Sequence, residues 1–271
     1  VFSTEPCTDS PLFELEQVVV TPHLGASTAE AQDRAGTDVA ESVKLALAGE
    51  FVPDAVNVGG GVVGDEVAPW LDLVSKLGVL VGALAPAAPV SLGVHIYGEL
   101  AAEDADILAL AALRGLFSTV VSEQVTFVNT PALAAERGVT AELTKTAESR
   151  NHRSAVDVVA VLSDGSTVNV AGTLAGPAAV QKIIQINGRN LDLRASGHNM
   201  IVNYRDQPGA LGKIGTLLGA ADVNIEAAQL SQDAEGDGAT IMLRLDRDVP
   251  EDVRTQIADA VGATLLKVVA L

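Results

Sequence analysis

Hydrophobic and polar positions over residues 200–271 alternate between the strand period and the helix period. Residues 201–204 read as a short buried strand, which Pro208-Gly209 ends. Apolar side chains then recur at helical spacing, at Leu211, Ile214, Leu217 and Leu218. The remaining pattern predicts a strand to residue 232, an acidic hairpin at 233–238, a strand over 239–245, a helix over 250–261 and a strand over 265–270. This order is βαββαβ, a ferredoxin-like arrangement.

Residues 62–195 combine both periods in a second unit. The spacing predicts a helix from about residue 70, an alternating strand over 90–100 and a helix over 104–118. Asp164-Gly165 and Asn187-Gly188 each stand between two apolar runs, which is a strong hairpin signal. Helices together with strands that pair through short turns predict an α+β fold with local strand pairing.

The beginning of the chain has a shorter pattern. An apolar run at 17–21 predicts a buried strand that delivers His23 at its carboxyl end, where the sites of open α/β sheets lie. Ser27 is the expected N-cap of a helix over 28–48, and Gly49 closes that helix. Its apolar side chains recur at four-residue steps, at Ala31, Ala35, Val39, Val43 and Leu47.

Three consecutive glycines, Gly59, Gly60 and Gly61, separate this segment from the next unit. Glycine has few φ/ψ restrictions, so the run is a hinge candidate, a plain surface turn being the alternative. We therefore expect domains at 1–58, 62–195 and 196–271.

Composition narrows the class of protein. The chain has 271 residues, 48% of them hydrophobic, enough for two or three cores. A formal net charge of −18 argues against nucleic acid or an anionic membrane as a partner. The single cysteine, Cys7, excludes a disulfide framework or a cysteine-based metal site within the chain, and no metal site is predicted. So low a cysteine content suits a reducing cytoplasm. Apolar runs such as 77–90 are too short to span a bilayer.

Residues 200–231 contain groups that suit the two ends of an amino acid. The helix start after Pro208-Gly209 offers backbone N–H groups to a carboxylate, and Asp206 and Asn224 can accept from an ammonium. The alternative is that Tyr204 is a strand-edge aromatic and Asp206 a turn former. The stretch resembles the ACT domain, an amino-acid-binding regulatory module. That resemblance implies a homodimer in which Tyr204 and Asp206 of one protomer face Asn224 of the other.

Glu5 lies eighteen positions before His23, and a carboxylate bonded to one imidazole nitrogen fixes the tautomer of the ring. The surrounding phrases, FxxEP and VVxTPHxGxxTxEA, resemble the signature that closes the catalytic half of the D-2-hydroxyacid dehydrogenases. With a C-terminal ACT domain, the chain resembles the long-form phosphoglycerate dehydrogenases of actinobacteria. The resemblance implies that residues 1–58 are the end of an α/β catalytic domain. It also implies that Glu5 and His23 assist hydride transfer between NAD and the substrate.

Other parts of that catalytic machinery are missing from the sequence. No GxGxxG fingerprint follows a strand, Gly59-Gly60-Gly61 does not substitute for one, and the substrate-binding Arg of the family has no counterpart. We expect NAD to bind only the full-length enzyme and this chain alone to be inactive. The alternative is a free-standing amino-acid-binding regulator. An iron–sulfur serine dehydratase is excluded because its cluster needs several thiolates.

Four cations stand out against the acidic background: Lys182, Arg189 and Arg194 on or beside the second hairpin, and Arg244 in the last domain. Fixed cations suit a phosphate or carboxylate ligand, whereas strand-edge Lys and Arg also discourage edge pairing. The resemblance assigns residues 62–195 to an intervening domain with an allosteric site for anions such as 3-phosphoglycerate or hydroxypyruvic acid phosphate. It further implies feedback binding of L-serine at the ACT domain and a homotetramer for the full-length enzyme.

Overall fold

A computed structural model describes residues 2–58, 63–149, 151–232 and 238–271. It divides the chain into two compact units, Val1–Ala48 and Gly49–Leu271. The described residues form six α-helices and two β-sheets, so the α+β prediction is confirmed. The hinge candidate Gly59, Gly60 and Gly61 lies outside the described residues, as do residues 233–237 of the predicted acidic hairpin.

The first unit contains a short 3-10 helix, Pro11–Glu14, and one long helix, α1 (Ala29–Ala48). The predicted strand at 17–21 is wrong: these residues form no ladder, and Val19 is 91% exposed. An extended segment becomes a strand only beside a second one, and the described residues of this unit supply none. The N-cap of α1 is Thr28 rather than Ser27, since the Ala31 N–H donates to Thr28 Oγ1 at 3.2 Å.

The second unit begins with a six-stranded sheet covered by helices. Its elements are α2 (Ala68–Leu84), β1 (Pro89–Gly98), a 3-10 turn (Glu99–Ala102), α3 (Ile107–Ser118), α4 (Thr130–Arg137), β2 (Thr140–Thr146), β3 (Ser154–Leu162), β4 (Thr167–Ala175), β5 (Val180–Ile186) and β6 (Arg189–Arg194). The strand order is β2-β1-β3-β4-β5-β6. Both predicted hairpins are confirmed, with Gly165, Asn187 and Gly188 at positive φ in the turns.

The pattern missed α4 and β2. β2 lies parallel to β1 at the edge of the sheet, so strand pairing is not only local. Its sequence, TAELTKT, is largely exposed and polar, and an edge strand of this kind lacks the apolar alternation that marks a strand in a sequence.

The second sheet is built from β7 (His198–Arg205), β8 (Ile225–Gln232), β9 (Gly238–Leu245) and β10 (Ala263–Ala270), with helices α5 (Ala210–Ala220) and α6 (Glu251–Val261). The strand order β10-β7-β9-β8, antiparallel throughout, confirms the βαββαβ prediction. None of the described helices is both long enough and apolar enough to cross a bilayer.

Both faces of this second sheet are buried. On one face Met200, Val202 and their neighbours pack against α5 and α6. On the other, Ile201, Met242 and Val269 join the core of the six-stranded sheet, where β6 packs against β8 and β9 and α2 packs against β10. One apolar core therefore connects the two sheets.

The crossing of α2 and α3 depends on glycine. A Cβ at Gly115 would overlap the Ser75 carbonyl group, and one at Gly78 would overlap that of Ala112. Both partners are backbone atoms of the facing helix, which cannot rotate away.

Gly115→Ala should therefore destabilise the chain by about 1–3 kcal/mol, because the added methyl group forces the two helices apart. Gly215→Ala in α5 is the matched control: its Cβ would meet nothing within 4 Å, so the better helix former should be neutral or stabilising. Urea unfolding of both variants measures the difference. Equal stability of the two would contradict the close helix crossing.

Candidate functional site

The predicted acid–base pair of the first unit is formed. His23 Nδ1 lies 2.7 Å from Glu5 Oε2, and the backbone N–H of Phe2 donates to Glu5 Oε1 at 3.2 Å. The hydrogen bond with His23 is the main cause that holds the pKa of Glu5 below its ordinary value, and the Phe2 N–H acts in the same direction. The His23 side chain is 66% exposed. The pair is thus oriented and open to solvent.

Three of the four predicted cations share one concavity of about 480 Å³ at the junction of the two sheets. Lys182 and Arg194 face each other across β5 and β6, and Arg244 reaches the same concavity from β9. Arg189 does not line it: the residue lies five positions before Arg194, about 16 Å along β6. We define Lys182, Arg194 and Arg244 as the cationic pocket.

Two carboxylates in or beside the cationic pocket were missed from the sequence. Lys182 Nζ lies 2.6 Å from Asp192 Oδ1, and Arg244 Nε lies 2.9 Å from Glu226 Oε2. Among the described residues no carboxylate pairs with Arg194, so one of the three cations keeps its charge uncompensated. Asp192 was identifiable, because residues two apart in a strand share a face. Glu226 gives no such signal, since it comes from another strand.

Tyr204 and Asp206 mark the carboxyl end of β7. Tyr204 is only 3% exposed, stands one residue before the end of the inner strand β7 and lies in the core beneath α5 and α6. Burial raises the pKa of the Tyr204 hydroxyl, with a smaller contribution from the Asp206 charge. Asp206 is exposed and accepts a hydrogen bond from Gln232 Nε2 at the end of β8, a partner that the sequence did not indicate.

Asn224 lies at the opposite end of the second sheet. Its N–H donates to Asp246 Oδ1 at 2.8 Å, and its carbonyl accepts from the Asp246 N–H at 3.1 Å. β7 and β8 lie on either side of β9 and run in the same direction. Asn224 precedes the start of β8 and Asp206 follows the end of β7, so the two residues are separated by the length of β8, about 26 Å. One small ligand cannot bridge these two residues within a single chain.

The start of α5 lies next to Asp206. Gly209 precedes the helix at a φ of +86°, a left-handed conformation that glycine adopts without strain. No side chain caps the first turn, and the Ala210 N–H donates to the Gln207 carbonyl at 3.3 Å, so the N–H groups of Leu211 and Gly212 are the ones left to an anion. An exposed carboxylate and the start of a helix are therefore adjacent. No group of three or more His, Cys, Asp or Glu suited to a metal ion occurs within the described parts of the chain.

Comparisons with known proteins match this arrangement. Residues 66–187 match the D-3-phosphoglycerate dehydrogenase intervening domain, and residues 198–262 match the ACT domain. The chain is 75% identical over 271 residues to D-3-phosphoglycerate dehydrogenase of Mycobacterium leprae and 74% identical to that of Mycobacterium tuberculosis strain H37Rv, covering 100% of this chain and 51% of each relative. The D-3-phosphoglycerate dehydrogenase of a Synechocystis species is 34% identical over 265 residues, 97% of this chain and 48% of the relative.

The chain thus spans about half the length of the curated relatives that it matches, and in the Mycobacterium leprae protein the matched part is the C-terminal half. The resemblance seen in the sequence motifs is confirmed at the level of both domains.

His23→Leu should raise the pKa of Glu5 toward its ordinary value, because no ring N–H remains to bond the carboxylate. Because the pKa of Glu5 is lowered, its hydrogen bond with His23 stabilises this segment at pH values above the ordinary pKa of glutamate. The stabilisation is lost as the pH falls through the lowered pKa. Carboxyl ¹³C NMR titration measures the shift, with Asp9→Asn as a control that leaves Glu5 unchanged. An identical Glu5 titration in His23→Leu would disprove the pairing.

Proposed function

Because the chain carries the intervening domain of the D-3-phosphoglycerate dehydrogenases followed by an ACT domain, we propose that it is the regulatory portion of such an enzyme. The full-length protein would be an NAD-dependent oxidoreductase that oxidises 3-phosphoglycerate in L-serine biosynthesis. The single observation that carries this proposal is similarity along the whole chain to the mycobacterial dehydrogenases. The proposed domains are those expected from the sequence, 1–58, 62–195 and 196–271.

Glu5 and His23 are the catalytic residues of the proposal. The Glu5 carboxylate accepts from Nδ1 of the ring, which leaves Nε2 to exchange a proton with a substrate hydroxyl. The residues of this chain do not fit NAD, since the sequence has no glycine-rich loop between a strand and a helix. We expect the pair to function only in the full-length enzyme.

The ACT domain is proposed to bind L-serine across a two-fold axis. The α5 start supplies N–H donors to the ligand carboxylate, and Asp206 supplies the counter-charge to the ammonium. β8 is an edge strand, so antiparallel pairing of two β8 strands would bring the start of one strand to the end of the other. This pairing places the partner's Asn224 beside Asp206, which a single chain cannot do.

The cationic pocket is proposed to bind anions such as 3-phosphoglycerate or hydroxypyruvic acid phosphate. Arg194 offers uncompensated charge, while Lys182 and Arg244 are mostly buried and already oriented by Asp192 and Glu226. An incoming phosphate competes with those two carboxylates, so the expected binding is weak and sensitive to salt. We assign Arg189 no contact with this ligand.

The purified 271-residue chain should not oxidise 3-phosphoglycerate with NAD, because it lacks both the nucleotide loop and the substrate-binding Arg of the family. NADH absorbance measures turnover, and the same assay on a full-length dehydrogenase is the positive control. Turnover by the chain, shown by mass spectrometry to be free of longer enzyme, would contradict the proposal.

Charge removal at Lys182, Arg194 and Arg244 together should abolish binding of hydroxypyruvic acid phosphate, whereas Arg137→Gln on α4 should leave it intact. Calorimetric titration at low and high salt follows the affinity, which should fall as salt screens the cations. If the triple variant binds as the parent chain does, the three cations do not form an anion site. Protection of a strand edge from pairing then applies at most to Arg194, because β5 and β9 are inner strands.

L-Serine should give saturable heat with the folded dimer, while D-serine and glycine bind more weakly. Asp206→Ala should cost about 2–4 kcal/mol of binding, because the ligand ammonium loses its counter-charge. Asn224→Ala should also abolish the heat, and Tyr204→Phe should cost less. Asp259→Ala, an exposed carboxylate on α6, is the control. Indifference of the dimer to all three ligands would reject the serine site.

If the chain binds L-serine and the full-length protein has no dehydrogenase activity, the alternative of a free-standing amino-acid-binding regulator is favoured. The serine titration and the turnover assay therefore separate the two functions.

A further inference from the structure

The face of the six-stranded sheet that α2 does not cover holds a concavity of about 540 Å³. The α2 side chains Leu73 and Leu77 approach Gly172 from the other face. The concavity is lined by strand residues and by the described residues 148, 149, 151 and 152 between β2 and β3; its lining includes Tyr97, Thr146, His152, Asp157, Gln185 and Asn190. It is separate from the cationic pocket and from the ACT site.

Strand register places three polar residues of this concavity, Asp157, Gln185 and Asn190, in one row that continues to Thr144 and His95 beyond it. Directly opposed positions run across all six strands in the order Thr144, His95, Asp157, Ala171, Gln185, Asn190. Opposed residues share one face of a sheet, so five side chains that can form hydrogen bonds lie in line with the methyl group of Ala171. Ala155, which opposes Tyr97, is the second small residue. The two alanines provide an apolar floor and room for a ligand.

Asp157 is the charged group within this row. Both of its carboxylate oxygens lie 2.7 Å from Asn169 Nδ2, a neutral donor. Within the described ranges, no Lys or Arg forms an ion pair with it. Burial raises the pKa of Asp157, and the Asn169 amide and the nearby His95 offset this only in part. A desolvated carboxylate without a cation is costly, and a ligand cation would relieve that cost.

Unused acceptors lie beside this carboxylate. Asn169 Oδ1 is buried and has no hydrogen-bond partner in the described part of the chain. Gln185 Nε2 donates to Asn190 Oδ1 at 3.3 Å, which leaves Gln185 Oε1 as an acceptor. His95 Nδ1 and Thr144 Oγ1, 2.6 Å apart, satisfy each other. The Asp157 carboxylate and Gln185 Oε1 are therefore two acceptors in one row of the sheet, on either side of Ala171, and a group that donates to both fits between them.

We propose that this concavity binds a small protonated amine, with Asp157 receiving the ammonium and Gln185 accepting a second of its N–H bonds. The hydrocarbon part of the amine lies over Ala155 and Ala171, beside the Tyr97 ring. A second carboxylate at the rim, Glu148, disfavours anions. A metal ion is a poorer fit, since no three-ligand group for one occurs among the described residues. The proposal does not depend on the dehydrogenase or serine assignments.

Titration of the folded chain with 1,4-diaminobutane tests this site, with 1,4-butanediol as the neutral probe of the same length. The diamine should shift the amide NMR signals of β3 and β5 saturably, and the diol should not. Asp157→Asn keeps the shape and can still accept from Asn169, yet should weaken diamine binding at least about tenfold. Glu142→Gln removes an exposed carboxylate of β2 that does not line the concavity and should change nothing.

Gln185→Ala provides a second variant that leaves Asp157 in place, and it should weaken binding several-fold. The proposal is overturned if the folded parent chain shows no saturation by about 10 mM diamine. It is equally overturned if Asp157→Asn, shown to be folded by circular dichroism, binds as tightly as the parent.

Discussion

The apolar contact between the two sheets is the interaction on which the second unit, Gly49–Leu271, depends. Ile201, Met242 and Val269 point away from their own helices and complete the core of the six-stranded sheet. Because one core spans both sheets, β9 is held beside β6, and Arg244 reaches the concavity formed by Lys182 and Arg194. The cationic pocket is therefore a product of packing between domains, and neither domain contains all three of its cations.

The same packing brings the two proposed ligand sites into one structural context. Asn224 lies two residues before Glu226, which pairs with Arg244 in the cationic pocket. Its backbone bonds to Asp246, two residues after Arg244; the Asn224 N–H holds the pKa of Asp246 below its ordinary value. The beginning of β8 thus contacts the cationic pocket through Glu226. It also adjoins Asn224, the residue that is proposed to complete the serine site of a partner protomer. A change in one can reach the other through a few adjacent residues.

Much of the fold could be predicted from local chemistry. Asp164-Gly165 and Asn187-Gly188 predicted their hairpins because few other residues adopt the positive φ those turns require. Helix α5 could be predicted from its spacing and from Pro208-Gly209. The two strand errors concern segments whose structure depends on partners distant in the sequence. Residues 17–21 have apolar character but no neighbouring strand among the described residues, so the predicted strand does not form. β2 was missed because it is a strand only through its pairing with β1. Glu226 was missed for the same reason, because it reaches Arg244 from another strand.

The cationic pocket belongs to both domains at once, since its three cations lie on β5, β6 and β9. Hydrogen exchange of the 271-residue chain, measured with and without inorganic phosphate, is the most direct test of this shared pocket. Phosphate should slow exchange jointly in β6, from the first sheet, and in β9, from the second. Slower exchange confined to β5 and β6, with β9 unchanged, would contradict it.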